Sequence, residues 1–375
     1  MERSDLARCE RIVVKVGTST LTHPTHQLNL MRMEVLVREM ADIHNQGKEL
    51  LLVSSGAIGL GVARLGLKEP PRTLPMKQAM AAVGQGTLVH MYEKLFSEYS
   101  KTVAQVLLTK DDFNERLRYL NSRNTLLTLL GLGVIPIINE NDTVVVDEIK
   151  FGDNDTLSAL VAGEVDADLL VILSDIDGLY DDDPRQNPKA RRLPEVYEIT
   201  DEMEKKSHRR GTKLASGGMY TKLLAAKIVM AAGIPMVVAH GAEKNVLRRI
   251  IAGEPLGTLF VPKESRMQAR KRWIAFGSAC QGKVYIDNGA KEAVLHRGKS
   301  LLPSGITGVE GIFERGNVIS LVDLEGHEFA RGITNYSAEE IKLIAGKKTS
   351  QIERILGHKD YDEVIHRNNL TVYEA

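Results

Sequence analysis

Six short aliphatic runs constrain the fold of this chain more than any other feature: Ile12 to Val16, Leu50 to Ser54, Val103 to Leu108, Val134 to Asn139, Leu169 to Ser174 and Met236 to His240. Each is largely apolar at successive positions, and so on both faces, as strands are when helices cover the sheet from either side. Helical spacing lies between them. Asn29 is placed to cap a helix through His44, Met76 to Phe96 repeats apolar residues three and four apart, and Leu157 to Ala162 and Leu223 to Ala232 read as apolar helical segments. The alternation predicts an α/β fold: a doubly wound, mainly parallel sheet with helices on both faces.

With 375 residues, 43% of them hydrophobic, the chain exceeds the size at which one core usually divides, so two domains are expected. The composition shifts at Lys263, where a basic stretch without apolar period runs to Arg272. The expected division is an α/β domain over 1–262, a basic linker over 263–280, and a compact, mostly β module over 281–375. The linker's basic residues and Trp273 are read as solvated or as packing between domains, not as a nucleic-acid patch.

The 49 basic and 49 acidic side chains cancel, so no overall field draws the chain to nucleic acid or a membrane surface. The charged start, MERSDLARCER, excludes a secretory signal, and the longest nearly apolar stretch, Leu126 to Ile138, is too short to span a bilayer and carries Pro136. A cytoplasmic protein without membrane contact is expected. Cys9 and Cys280 are too few and too far apart for a disulfide framework or a zinc site.

Polar clusters flank the strand candidates: VVKVGTS around Lys15, SSGA from Ser54 to Ala57, NENDTV and FGDNDT between Asn139 and Thr156, and SDIDGLY from Ser174. Together they describe the ligand rim of a parallel sheet, lined with charge. Familiar phosphate motifs fail here. Gly56 and Gly61 have P-loop spacing, but Val62 and Ala63 stand where Lys and Ser or Thr are required. Gly59 and Gly61 begin a dinucleotide fingerprint that Arg64 breaks at the third glycine. Ser55 lacks the context of a hydrolase nucleophile.

What remains is a pair of lysines at sheet edges, Lys15 and Lys222, suited to facing the charge of a transferred phosphoryl group. Lys15, flanked by Val13, Val14 and Val16, needs a partner for its ammonium, and Asp175 at the end of another strand is the natural one. Ser216, Gly217 and Gly218 either present backbone N–H groups to a phosphate or simply cap the following helix. The carboxylates and amides from Asn139 to Asp155, around the hairpin-like stretch from Thr143 to Phe151, suit an amino-acid ammonium or a hydrated Mg²⁺. One of Asp153 and Asp155 is equally placed just to start the helix at Leu157.

In their order, VVKVGTSTL, SSGAI, NENDTV, FGDNDTLSA, SDIDGLY, SGGMYTK, GTLF and RKRW, the strings resemble the amino-acid kinase family over nearly the whole length, with a tail similar to a PUA domain. Within the family the order is similar to the branch that phosphorylates the γ-carboxylate of L-glutamate at the start of proline biosynthesis. The resemblance implies ATP as co-substrate, with Mg²⁺ whose ligands are left unassigned. It implies Lys15, Asp175 and Lys222 as catalytic, with Asp175 orienting the lysines. Ser55, Asp142 and Asn154 would hold glutamate. Lys15, Ser174, Asp175 and the segment Ser216, Gly217, Gly218, Met219, Tyr220, Thr221 and Lys222 would border the nucleotide. It further implies a dimer or tetramer and feedback inhibition by proline. The competing expectations are a sister kinase with another acceptor, and an RNA-binding protein acting through the tail.

Overall fold

The computed structural model describes residues 1–372 apart from 24, 26, 68, 70, 145–153, 183, 185, 186, 188, 209–217 and 264–279. It divides into two units, Met1–Glu264 and Ser265–Ala375. In the first, the strands are β1 (Arg11–Val16), β2 (Glu49–Ser54), β3 (Val103–Leu108), β4 (Ile135–Glu140), β5 (Leu169–Ser174), β6 (Glu195–Val196), β7 (Met236–His240) and β8 (Thr258–Phe260). Its helices are α1 (Thr18–Leu21), α2 (Leu30–Asn45), α3 (Ala57–Arg64), α4 (Leu74–Ser97), α5 (Lys110–Asn114), α6 (Arg116–Gly131), α7 (Asn154–Glu164), α8 (Asp201–His208), α9 (Met219–Ala231) and α10 (Val246–Ile251).

One sheet takes all eight strands in the order β3-β4-β2-β1-β5-β7-β8-β6. Pairing is parallel from β3 across to β7, after which β8 runs antiparallel to β7 and carries β6 parallel to itself. The six aliphatic runs are all strands, as their patterning requires. The short β6 and β8 are too brief to show a period and were not foreseen. The direction of winding reverses at β1, with β2 on one side and β5 on the other. A sheet of this kind opens its ligand crevice at the carboxyl ends of the strands beside such a switch point.

Strand parity decides which side chains meet which helices. Ile12, Val14 and Val16 of β1 join Leu50, Leu52 and Val171 against Met33, Val37 and Met40 of α2. Val13 joins Leu51, Val53, Leu170 and Ile172 on the other face, against Leu157 and Val161 of α7 and Leu223 and Ala226 of α9. Lys15 is two residues beyond Val13 and shares its face, which aims the ammonium at α7 and α9.

Asn29 caps α2 as its position foretells, accepting from Arg32 N at 3.1 Å. Two helices begin earlier than their apolar segments: α7 at Asn154 instead of Leu157, and α9 at Met219 instead of Leu223. Their first turns are polar because they belong to the site. Helices α3 and α4 cross with backbones in contact. A Cβ on Gly61 would fall 1.9 Å from the Met80 carbonyl, and one on Gly84 would fall 1.7 Å from that of Ala57. No side chain fits at either position.

The second unit is a five-stranded sheet of β9 (Gly282–Ile286), β10 (Ile306–Gly311), β11 (Val318–Val322), β12 (Glu328–Ile333) and β13 (Leu370–Val372), in the order β10-β9-β11-β12-β13. Helices α11 (Asn288–Leu295), α12 (Ala338–Ile344) and α13 (Ile352–Leu356) complete it. Its own core includes Val284, Ile319, Leu321, Ile341 and Ile365. It is mostly β, in accord with its Gly and Pro punctuation. The expected linker falls almost wholly on 264–279, and so with Trp273 lies outside the described residues.

Glu164, at the last turn of α7, is buried and accepts a hydrogen bond from the Ser122 hydroxyl of α6. Burial pushes its carboxyl from an ordinary 4.5 up to about 7, against the opposing pull of Ser122 and Arg123. The folded state therefore prefers the protonated acid. Its cost to stability is absent below the unfolded value, grows as pH rises from 4.5 through about 7, and is constant above. Glu164→Gln is expected to raise the melting temperature at pH 8 and to give little or no gain at pH 4.5. Thermal unfolding at the two pH values checks this, and an equal effect at both would refute it.

Candidate functional site

The carboxyl ends of β2, β1 and β5 are tied together by backbone bonds before any side chain is considered. Ser55 N donates to Val16 O at 3.2 Å, Gly17 N to Leu173 O at 3.4 Å, and Gly241 N to Ser174 O at 2.8 Å. Gly56 turns the chain from β2 into α3 with φ of 110°, a left-handed conformation that glycine adopts without strain. This frame brings two groups of polar side chains to one rim.

The first group is ionic. Lys15 Nζ lies 2.6 Å from Asp155 Oδ1, and Lys222 Nζ lies 3.1 Å from Asp155 Oδ2. Asp155 is fully buried, and Lys15 and Lys222 are 5% and 3% exposed. The Thr221 hydroxyl is 2.9 Å from Asp155 Oδ2 and 2.7 Å from the Gly218 carbonyl. Burial pushes the Asp155 carboxyl upward, but the ammonium groups of Lys15 and Lys222 outweigh it and hold the acid down at about 2. Two ammoniums thus share one carboxylate, and the three groups together carry net positive charge. Such a cluster at the mouth of a sheet suits a polyanion.

Lysine orientation therefore falls to Asp155 and not to Asp175. Lys15 faces the α7 and α9 side of the sheet, where the first turn of α7 delivers Asp155, whereas Asp175 follows the last residue of β5 and is exposed. There Asp175 accepts from the Ser174 hydroxyl at 3.0 Å. Asp155 is likewise more than a helix start. Nor are both lysines at sheet edges: Lys15 is on a central strand and Lys222 in the first turn of α9. The signal for Asp155 was available in the parity of Lys15 with Val13, together with an acid in the first turn of the covering helix.

The second group is a run of amides. Asn154 Nδ2 lies 2.9 Å from each of Ser54 O, Ser55 Oγ and Asn139 Oδ1. Asn139 Nδ2 donates to Gln85 Oε1 at 2.8 Å, and Ser54 Oγ is 2.9 Å from the Tyr92 hydroxyl. Ser55 and Asn154 therefore meet. Asp142 sits two residues beyond β4, half-buried in a turn. Gln85 and Tyr92 carry no sequence signal, since they sit within an otherwise ordinary helical pattern. Met219, Tyr220 and Thr221 occupy the start of α9 with Gly218 before it. Ser216, Gly217, Asp153 and the hairpin-like stretch beyond Val144 lie outside the described residues.

Residues 10–240 match the model of the amino acid kinase family, and residues 282–356 match that of the PUA domain. A glutamate 5-kinase of Moorella thermoacetica is 55% identical over 370 residues, covering 99% of this chain and 98% of the relative. One of Caldanaerobacter subterraneus subsp. tengcongensis is 56% identical, with 97% and 98% covered. Another, of Carboxydothermus hydrogenoformans, is 54% identical, with 99% and 100% covered.

Asp155→Asn removes the charge that both buried lysines lean on. The expected loss is about 3–5 kcal/mol near neutral pH, the usual cost of breaking a buried ion pair from one side. Because the folded carboxyl is depressed from 3.8 to about 2, its contribution is present above about pH 4 and lost as pH falls through 2. The gap between wild type and variant should then narrow in acid. Urea unfolding at pH 7 and pH 3 measures it; equal stability at pH 7 would overturn the role given to Asp155.

Proposed function

Because the chain belongs to the amino acid kinase family and its relatives at about 55% identity span its full length, we propose that it transfers the γ-phosphoryl group of ATP to the γ-carboxylate of L-glutamate, the first step of proline biosynthesis. The observation that carries this reading is the adjacency of two unlike polar groups at one strand rim: the cationic Lys15–Asp155–Lys222 cluster and the amide group of Ser55, Asn139 and Asn154. One suits phosphates, the other an amino acid.

The chemistry asks little of the protein beyond alignment and charge. A γ-carboxylate, with an ordinary pKa near ~4.3, is already ionised at neutral pH and needs no general base. One of its oxygens attacks the γ-phosphorus while the bond to the β–γ bridging oxygen breaks, and the electron pair leaves with ADP. No proton moves, and the product is an acyl phosphate. Two anions have to approach, and Lys15 and Lys222 screen them and stabilise the charge spread over the transferred oxygens. Asp155 holds both ammoniums in place. Ser55, Asp142 and Asn154 hold the amino acid, while Ser174, Asp175 and the start of α9, from Gly218 to Lys222, border the nucleotide.

A Mg²⁺ ion brought with ATP would supply positive charge to neutralise the phosphates. Both Asp155 oxygens are engaged by lysines, whereas Asp175, exposed and contacted by the Ser174 hydroxyl, is a carboxylate at this rim whose chemistry would fit that ion. A cytosolic setting, a dimer or tetramer, and feedback by proline rest on the resemblance. No helix among the described residues is long and apolar enough to cross a membrane. A sister kinase with another acceptor and an RNA-binding role are both less favoured, since the relatives matched over full length share one name.

The test is ADP release from ATP and Mg²⁺ with L-glutamate, L-aspartate, N-acetyl-L-glutamate, carbamate or UMP, with hydroxylamine present to trap acyl phosphate. Hydroxamate from L-glutamate alone is expected, and turnover only with another acceptor would move the substrate. Lys222→Met is expected to lower kcat roughly a hundredfold or more while changing KM for L-glutamate little. A raised KM with kcat intact would contradict the role given to Lys222.

A further inference from the structure

Gln85 is 8% exposed and lies on α4, one residue after the glycine that lets this helix touch the backbone of α3. A leucine of similar volume would pack there without burying an amide, and among the described residues Gln85 Nε2 has no hydrogen-bond partner. Packing therefore does not account for the residue. Its other end does something definite: Oε1 accepts from Asn139 Nδ2 at 2.8 Å.

A carboxamide has two ends of nearly equal shape, one an acceptor and the other a donor, so its neighbours decide which way it faces. With the Asn139 nitrogen held at the Gln85 oxygen, the backbone N–H of Glu140 fixes the Asn139 oxygen on the opposite side. That oxygen accepts from Glu140 N and from Asn154 Nδ2, each at 2.9 Å. The nitrogen of Asn154 is thus fixed toward Asn139, Ser54 and Ser55, and its oxygen is left as the end for an outside donor.

We propose that Gln85 is a positioning residue that holds the Asn139 side chain in the Asn139–Asn154 amide relay, whose polarity Glu140 N and Ser54 O fix, so that the site offers an acceptor to the α-ammonium of its amino-acid substrate. Tyr92, two turns along α4, supports the same segment through Ser54. The inference rests on the L-glutamate reading given above.

Gln85→Met keeps the length and removes the acceptor, whereas Gln85→Glu keeps an oxygen facing Asn139. With Gln85→Met, KM for L-glutamate is expected to rise roughly tenfold, the scale of one lost buried hydrogen bond, with KM for ATP unchanged within about twofold. Gln85→Glu should recover most of that loss. A glutamate KM unchanged in Gln85→Met, a parallel rise in KM for ATP, or a Gln85→Glu variant as impaired as Gln85→Met would each overturn the proposal. A second measurement needs no variant. In the unmodified enzyme, glutarate, which lacks the ammonium, should compete with L-glutamate at least about tenfold more weakly than L-glutamate binds, and equal binding would also overturn it. Silence of the unmodified chain with L-glutamate would remove the underlying reading instead.

Discussion

The carboxylate of Asp155 is the contact on which the rest of the site depends. A lysine on a central strand, walled in by valines, can stay charged only if a counter-charge reaches it through the covering layer of helices. The first turn of α7 brings that counter-charge, and α9 brings a second lysine to the same acid. Core and site are therefore not separable here. The face on which Val13, Leu51 and Leu170 pack against α7 and α9 is the face that carries the ionic cluster at its upper end.

Much of this was legible in the sequence. Strand positions followed from runs apolar on both faces, and the rim followed from polar clusters at their ends, because a parallel sheet has few other ways to place them. The meeting of Ser55 with Asn154 was also within reach. Other features were not. Asp175 was a reasonable partner for Lys15 by proximity of strand ends, but pairing across the sheet puts Ile172, not Asp175, beside Lys15. Which acid reaches the lysine depends on the helix layer above the sheet, so the strand pattern yields it only when the parity of Lys15 with Val13 is read together with the acid in the first turn of the covering helix. Gln85 and Tyr92 were hidden for a related reason. In a 24-residue helix an amide and a phenol at spaced positions carry no local signal, and only the close crossing at Gly61 and Gly84 brings them to the strand ends.

The two pockets differ in how their polar groups are satisfied. In the ionic one, two ammoniums from β1 and α9 lean on one carboxylate from α7 within a few ångströms, which leaves one positive charge over. In the amide one, Asn139 and Asn154 take their sense from the Glu140 N–H and the Ser54 carbonyl, and Gln85 steadies the Asn139 end. The first arrangement tolerates a mobile anion near it. The second fixes the sense of a donor or acceptor, which is what telling one end of a small zwitterion from the other requires.

Asn154 and Asp155 are consecutive residues at the head of one helix, yet the side chain of the first bonds into the amide group and that of the second into the lysines and Thr221. A single peptide unit therefore sets the distance between the two pockets. Motion of α7 carries both together, and the gap a reacting pair of substrates must bridge is held by covalent geometry, like the jaws of a fixed-width gauge.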